Sequence, residues 1–300
     1  MSSAFLFGAG ASFGSGSCYP EPPPLGNGLN GLFKKLQERG GFAASVTNPL
    51  ADLFIDNFEA GMAELHSTST RDTFALLREM SLYFSEFEPL EGNHYKELIK
   101  FAISLKHPVV LATTNYDLLI EYSICQLGYR VLHELLPVWT NTHLVLKIHG
   151  SCNFLPNIPN ITFRNVSTNA TTVIDAGVKV VQVSEVAEFC NKEDSIAPAI
   201  AMYAKGKAVK FCPKFILQQQ KLWQESVLKV KRIFVIGLRV NPEDAHIWEN
   251  LASSKAQLLY VGFEKEDFEN WTKKNGRRNA YWIANKFDES IPIIKDYLKQ

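Results

Sequence analysis

Cysteine is sparse and unpaired in this sequence: Cys18, Cys125, Cys152, Cys190 and Cys212 are spread over 300 positions with no C-x-x-C pair. That spacing excludes a structural zinc module and argues against a disulfide scaffold, leaving reduced thiols as the simplest reading. Net charge is lacking too, with 31 basic against 31 acidic residues, so no general field gathers nucleic acid or an anionic membrane. The densest basic spots, Lys229–Arg232 and Lys273–Arg278, are short and far apart and read as solvated surface. No stretch approaches the roughly 18 apolar residues that span a bilayer, and the first residues lack the basic-then-apolar pattern of a signal peptide. The expectation is a soluble, cytoplasmic protein without a metal, binding neither nucleic acid nor membrane.

The usual dinucleotide fingerprint is also incomplete. FLFGAGASFGSG, Phe5 to Gly16, puts four glycines behind a short apolar run, the arrangement that lets a backbone approach a phosphate closely. Gly8 and Gly10 fit G-x-G-x-x-G, but Phe13 stands at the third glycine position. No second strand closing on an acidic residue follows near residue 30. A standard Rossmann dehydrogenase is therefore disfavoured.

What is present is an alternation of buried strands and helices. Ser3–Phe7, PVVLATTN up to Asn115, HLVLKIHG (143–150), RIFVIG (232–237) and QLLYVGF (257–263) read as strands. Helices are predicted from near Asn27, over 94–106, 116–127, 215–230 and 242–253. The stretch 18–28 is rich in Pro and Gly, and 43–90 carries helical spacing that reads as a helical insertion of two or three helices. The segment 158–172 is polar and β-prone; its sequons at Asn160, Asn165 and Asn169 carry no weight in a cytosolic protein, and 173–212 has no clear pattern. The fold class expected is α/β: one domain over 1–300 with a doubly wound, Rossmann-like parallel sheet. Ligands of such sheets sit at the carboxyl ends of the strands, where GAGAS, TTNYD and KIHGS stand.

Read in order, GAGAS (8–12), TTNYDLLIE (113–121) and KIHG (147–150) resemble the sirtuin (silent information regulator-like) family, with its GAG-x-S loop, T-Q-N-I-D motif and H-G dipeptide. IGLRVNPED (236–244) looks like the glycine segment on the adenosine side, and LLYVGF like the strand after it. The resemblance spans 4–264 with a gap at the helical insertion. The chain lacks the four-cysteine zinc ribbon of deacylating sirtuins and their P-D-F-R segment, where CYPEPPPLG (18–26) stands instead. Thr114 replaces the usual Gln, Tyr116 the usual Ile, and Arg239 a hydroxyl residue. These departures are similar to the zinc-less sirtuin-like domains of bacterial antiviral defence, which cleave NAD.

The resemblance implies an NAD⁺ hydrolase giving nicotinamide and ADP-ribose through an oxocarbenium-like transition state. Backbone N–H groups of Gly8, Ala9, Gly10 and Ser12 would cradle the phosphates, with Thr114 and Gly237 also at the dinucleotide. Asn115 would hold water and a ribose hydroxyl, and His149 would accept a proton. Asp117 would bind the carboxamide, and Arg239 and Asp244 would lie at the adenosine end. From the residues alone, Asn115 also suits an N-cap for the helix after it, and Asp117 suits a helix first turn. An NAD-dependent deacylase, a cyclase and a non-catalytic NAD or ADP-ribose sensor are the alternatives. Because no separate sensor is visible, activation by a partner protein or by homo-oligomer assembly is expected, with 43–90 a candidate contact surface.

Overall fold

Short runs of alternating apolar side chains bury both faces of a parallel sheet, and the computed structural model shows how. It describes residues 2–105, 109–134, 140–158, 173–201, 210–241 and 244–300; the sequons lie outside these. Seven strands form the main sheet: β1 (Ser3–Phe7), β4 (Val109–Thr113), β5 (Arg130–Leu132), β6 (Thr142–Lys147), β9 (Arg232–Ile236), β10 (Gln257–Val261) and β11 (Ala280–Ala284). Their order is β11-β10-β9-β1-β4-β6-β5, and every pairing is parallel. From β1 the chain lays β4, then the edge strand β5 and β6 between them, and returns to build β9, β10 and β11 outward on the other side, which is the doubly wound arrangement expected.

The pleat divides the core. Phe5, Phe7, Leu111, Val145, Phe234 and Ile236 point into one cluster, while Ala4, Leu6, Ala112, Leu146, Ile233 and Val235 point into the other. The first face is covered by α7 (His94–Ser104), α8 (Leu119–Gln126) and α13 (Phe287–Lys299). The second is covered by α10 (Pro213–Lys229), α11 (Ala245–Ser253) and α12 (Lys265–Lys274). Phe5 stacks on Phe234 across the β1–β9 pair with ring centroids 4.8 Å apart, a large apolar contact at the centre of the sheet.

Between β1 and β4 the chain forms α1 (Ala9–Phe13) and then a helical group: α2 (Leu32–Arg39), α3 (Phe42–Ser45), α4 (Leu50–Asp56), α5 (Phe58–Thr68) and α6 (Thr70–Phe84). Asn57 caps α5, Ser69 caps α6 and Asn93 caps α7, each accepting a backbone N–H within the first turn, which sets these boundaries. Two strands lie where the sequence suggested a Pro/Gly loop and the end of helical spacing: β2 (Gly16–Tyr19) pairs antiparallel with β3 (Glu88–Asn93). The reason is tertiary, since residue 93 must return beside residue 16 for α7 to reach the sheet. A second small ribbon joins β7 (Phe154–Pro156) to β8 (Val178–Val180), followed by α9 (Val183–Lys192). Among the described residues, no helix is long and apolar enough to cross a membrane.

Candidate active site

The sheet register brings the three sequence motifs together. Phe7 is aligned with Thr113 on one side and Ile236 on the other, and Thr113 with Lys147. Gly8, Thr114 and Gly237 therefore leave the sheet at one level, and Asn115 and His149 each stand two residues beyond a paired position. The carboxyl edge of β9-β1-β4-β6 thus carries the glycine loop, the TTNYD and KIHG motifs and the start of IGLRVNPED.

The glycines have a backbone reason. Gly8 N–H donates to Ile236 O and Gly10 N–H to Gly237 O, both at 2.9 Å. A Cβ on Gly8 would lie 2.5 Å from Gly237 O. Gly237 itself has φ +63°, and a Cβ there would overlap Ala11 N. The loops after β1 and β9 are packed backbone on backbone, leaving Ala9 exposed and Gly10 half-buried at the rim.

Asn115 is anchored within this frame. Its Nδ2 donates to Gly8 O at 2.9 Å and to Ser12 Oγ at 2.8 Å, and its backbone N–H donates to Thr113 Oγ1. Ser12 Oγ in turn meets Tyr95 OH at 3.0 Å. Both amide hydrogens are thus committed to protein, and the Asn115 amide cross-links the motif after β4 to the one after β1. It caps nothing: α8 begins at Leu119, later than the sequence suggests, because Asp117 Oδ1 accepts the Leu119 N–H. Thr114 N–H bonds Phe7 O, holding that residue at the sheet edge.

Beneath lies a buried charge cluster. The Lys147 ammonium, fully buried, donates to Asp117 O at 2.5 Å and pairs with Glu121 Oε1 at 3.2 Å. Burial raises the Asp117 carboxyl above its ordinary range, and the Lys147 charge opposes that rise. Burial likewise pushes the Tyr95 phenol well up, keeping it a neutral hydrogen-bonding group. Ser12, Asn115 and Asp117 face a small open cleft walled by Pro23, Pro24 and Phe84, so the proline stretch after β2 becomes one side of the site.

His149, only 2% exposed, stands in a separate group. Its backbone is covered by Ala199–Ala201: Ala201 N–H donates to His149 O at 2.8 Å, and Gly150 bridges Ile200. Gly150 has φ +86°, and a Cβ there would overlap Ala199 O, so the H-G dipeptide reflects this crossing. His149 Nε2 lies 2.9 Å from His246 Nε2 and 3.8 Å from Asp244 Oδ1. Asp244, expected at the adenosine end, is thus beside His149, while Arg239 is exposed on the β9 loop.

The structure adds three residues that the sequence reading left aside. Lys147 had a signal, a charged residue inside the apolar run LVLKIHG. His246 had a weaker one, its two-residue spacing from Asp244. Tyr95, on a helix face, had none.

Neither a protein-family model nor a curated protein sequence matches the chain. Solved structures do. A mutant Sir2 homologue in complex with ADP-ribose aligns over 99% of this chain and 92% of its own, with a TM-score of 0.52 and 15% identity. A complex described as Sir2–p53 peptide–NAD⁺ aligns over 98% and 92%, with a TM-score of 0.51 and 13% identity. The chain as a whole has a Sir2-like fold.

Proposed function

We propose that the protein is an NAD⁺ glycohydrolase, cleaving NAD⁺ to nicotinamide and ADP-ribose, and that it serves as an NAD-depleting effector of antiviral defence. One observation carries this reading: in a Sir2-like fold, Asn115 and His149 stand two residues past the aligned pair Thr113 and Lys147 of adjacent strands, and Asn115 is hydrogen-bonded to the glycine loop. The solved relatives in complex with ADP-ribose and with NAD⁺ support a dinucleotide at this edge.

In the proposed reaction the bond between ribose C1′ and the nicotinamide nitrogen breaks, and its electron pair stays on the departing ring. Water attacks C1′ and passes a proton to His149. Backbone N–H groups of Gly8–Ser12 hold the pyrophosphate. The Asn115 carbonyl oxygen, left by an amide nitrogen already committed to Gly8 O and Ser12 Oγ, receives a ribose hydroxyl or the water. Asp117 takes the carboxamide, Thr114 and Gly237 lie along the dinucleotide, and Arg239 marks the adenosine side. Asp244, beside His149, orients the imidazole.

The test is NAD⁺ incubated with the purified chain and no peptide, products resolved by chromatography, beside Asn115→Ala and His149→Ala checked for native circular dichroism. The expected result is nicotinamide plus ADP-ribose, reduced by roughly 10²-fold or more in each variant. Turnover only with an acyl-lysine peptide would make the protein a deacylase, and binding without turnover would make it a sensor.

A further inference from the structure

His149, Asp244 and His246 offer two imidazole nitrogens and a carboxylate oxygen that all lie within 4.8 Å of one another. They come from the end of β6 and the start of α11, about a hundred residues apart in the chain. Two of the three are more than nine-tenths buried, at 2% and 4% exposure, and His246 is half-buried. The two rings are tilted by 47° and turn the same atom, Nε2, toward each other at 2.9 Å.

Two ring nitrogens approach this closely only with a positive centre between them, either a hydrogen or a metal ion, because bare lone pairs repel. A 2.9 Å separation fits either. A metal held about 2.0–2.2 Å from each ligand needs neighbouring donors roughly 2.9–3.6 Å apart; the two imidazole nitrogens meet that at 2.9 Å, and the Asp244 oxygen, 3.8 Å from His149 Nε2, has only a few tenths of an ångström to close on binding. The carboxylate supplies the negative charge that neutral imidazoles lack, and Nδ1 of each ring can engage a second partner that fixes the tautomer. We propose that these three side chains form a binding site for a single divalent transition metal of the zinc type.

Imidazole with one carboxylate favours zinc and its neighbours over calcium or magnesium, which prefer oxygen. The sequence reading expected no metal because it weighed the cysteines; the ligand set here contains none. Where the proposed NAD⁺ cleavage is right, a consequence follows that rests on that reading: metal on His149 holds the imidazole to which that reading gives the proton, so the metal-loaded chain is inhibited. Binding itself does not depend on it.

The test begins with the full chain stripped by chelator, dialysed, and titrated with Zn²⁺ and with Co²⁺ in the absence of NAD⁺. Expected are one tightly bound equivalent and visible Co²⁺ absorption without the near-ultraviolet band of a thiolate ligand. His246→Ala and the near-isosteric His246→Gln, both verified by melting temperature, weaken uptake more than about 100-fold, beyond what loss of an outer-sphere partner does. Cys125→Ser, at the exposed cysteine, leaves uptake unchanged. Absence of a stoichiometric equivalent, a thiolate band, or undiminished affinity in folded His246→Gln each overturns the site. The metal-free chain is assayed with NAD⁺ in parallel. One tight equivalent in a chain that never cleaves NAD⁺ would sink the activity and leave the site standing; cleavage by a chain that takes up no metal would do the reverse.

Discussion

A methyl group at Gly237 has nowhere to go: the residue sits at φ +63°, and the position its Cβ would take is filled by the backbone of Gly10 and Ala11. Gly276 has nearly the same φ, +64°, with nothing within 4 Å of its Cβ position. Comparing them distinguishes two costs. Gly276→Ala should lose only the left-handed penalty, about 1–2 kcal/mol, whereas Gly237→Ala must also push the packed loops after β1 and β9 apart and should lose about 3 kcal/mol or more. Thermal melts of both variants check this; equal losses would mean that the loops are not held together as described. Lys147 makes a second test at this scale. Lys147→Met leaves Asp117 and Glu121 buried without their cation, and a broken buried pair costs about 3–5 kcal/mol. The loss should depend on pH. The folded-state pKa of Asp117 is already raised by burial, and Lys147 restrains it, so without the lysine it rises further. A folded acid that holds its proton more tightly than the unfolded chain is favoured at low pH. The variant should therefore be least destabilised near pH 4, where the unfolded carboxyl titrates, and should lose stability as pH rises through the raised folded value. Chemical denaturation at several pH values reads this, and a pH-independent loss would contradict it.

At the scale of elements, the main question is what holds Ala199–Ala201 across His149. Arg78, on α6, donates from Nη1 to Asp194 O at 3.0 Å and to Ile196 O at 2.9 Å. A charged donor with two carbonyl partners contributes about 1.5–3 kcal/mol, so α6 pins the stretch that leads onto the site. Arg78→Ala should raise amide hydrogen exchange in residues 195–201 by roughly 10-fold or more, with the strands β1 and β9 unaffected. Unchanged exchange there would mean that the segment is held by its contacts with Gly150 and His149 alone. Elements also show where the sequence was readable. β1, β9 and β10 announce themselves as continuous apolar runs, because both faces of a parallel sheet are covered. β2 and β3 do not, because a two-stranded ribbon on the surface draws its pairing from where the chain must go. The motif residues were legible at strand ends, but the contacts among them were not. That His246 meets His149 depends on where the start of α11 lies against the end of β6, which no local spacing encodes.

For the whole molecule, the sheet is one partition between two cores, and strands alternate side chains into each. Trp223, Trp248, Trp271 and Trp282 all belong to the second core, and residues 32–104 on the first side contain no tryptophan. Four of the five tryptophans, all those among the described residues, thus report on one face, while far-ultraviolet circular dichroism is weighted toward the helices on both. Because β1 and β9 serve both cores at once, the two signals should give coincident denaturant midpoints. A fluorescence midpoint displaced from the dichroic one would show the helical group α2–α6 unfolding by itself.

The place of β1 in the sheet also has a consequence for synthesis. Its partner β9 lies about 230 residues further along the chain, and translation runs at roughly 5–20 residues per second. For some tens of seconds the central strand is therefore open on one edge, and the Gly8–Gly10 backbone lacks Gly237, its counterpart. A nascent chain cannot close the glycine loop until most of the protein has been made. Ribosome-bound fragments ending before β9 should be chaperone clients, and the backbone on which the proposed dinucleotide would rest is complete only in chains that have nearly finished.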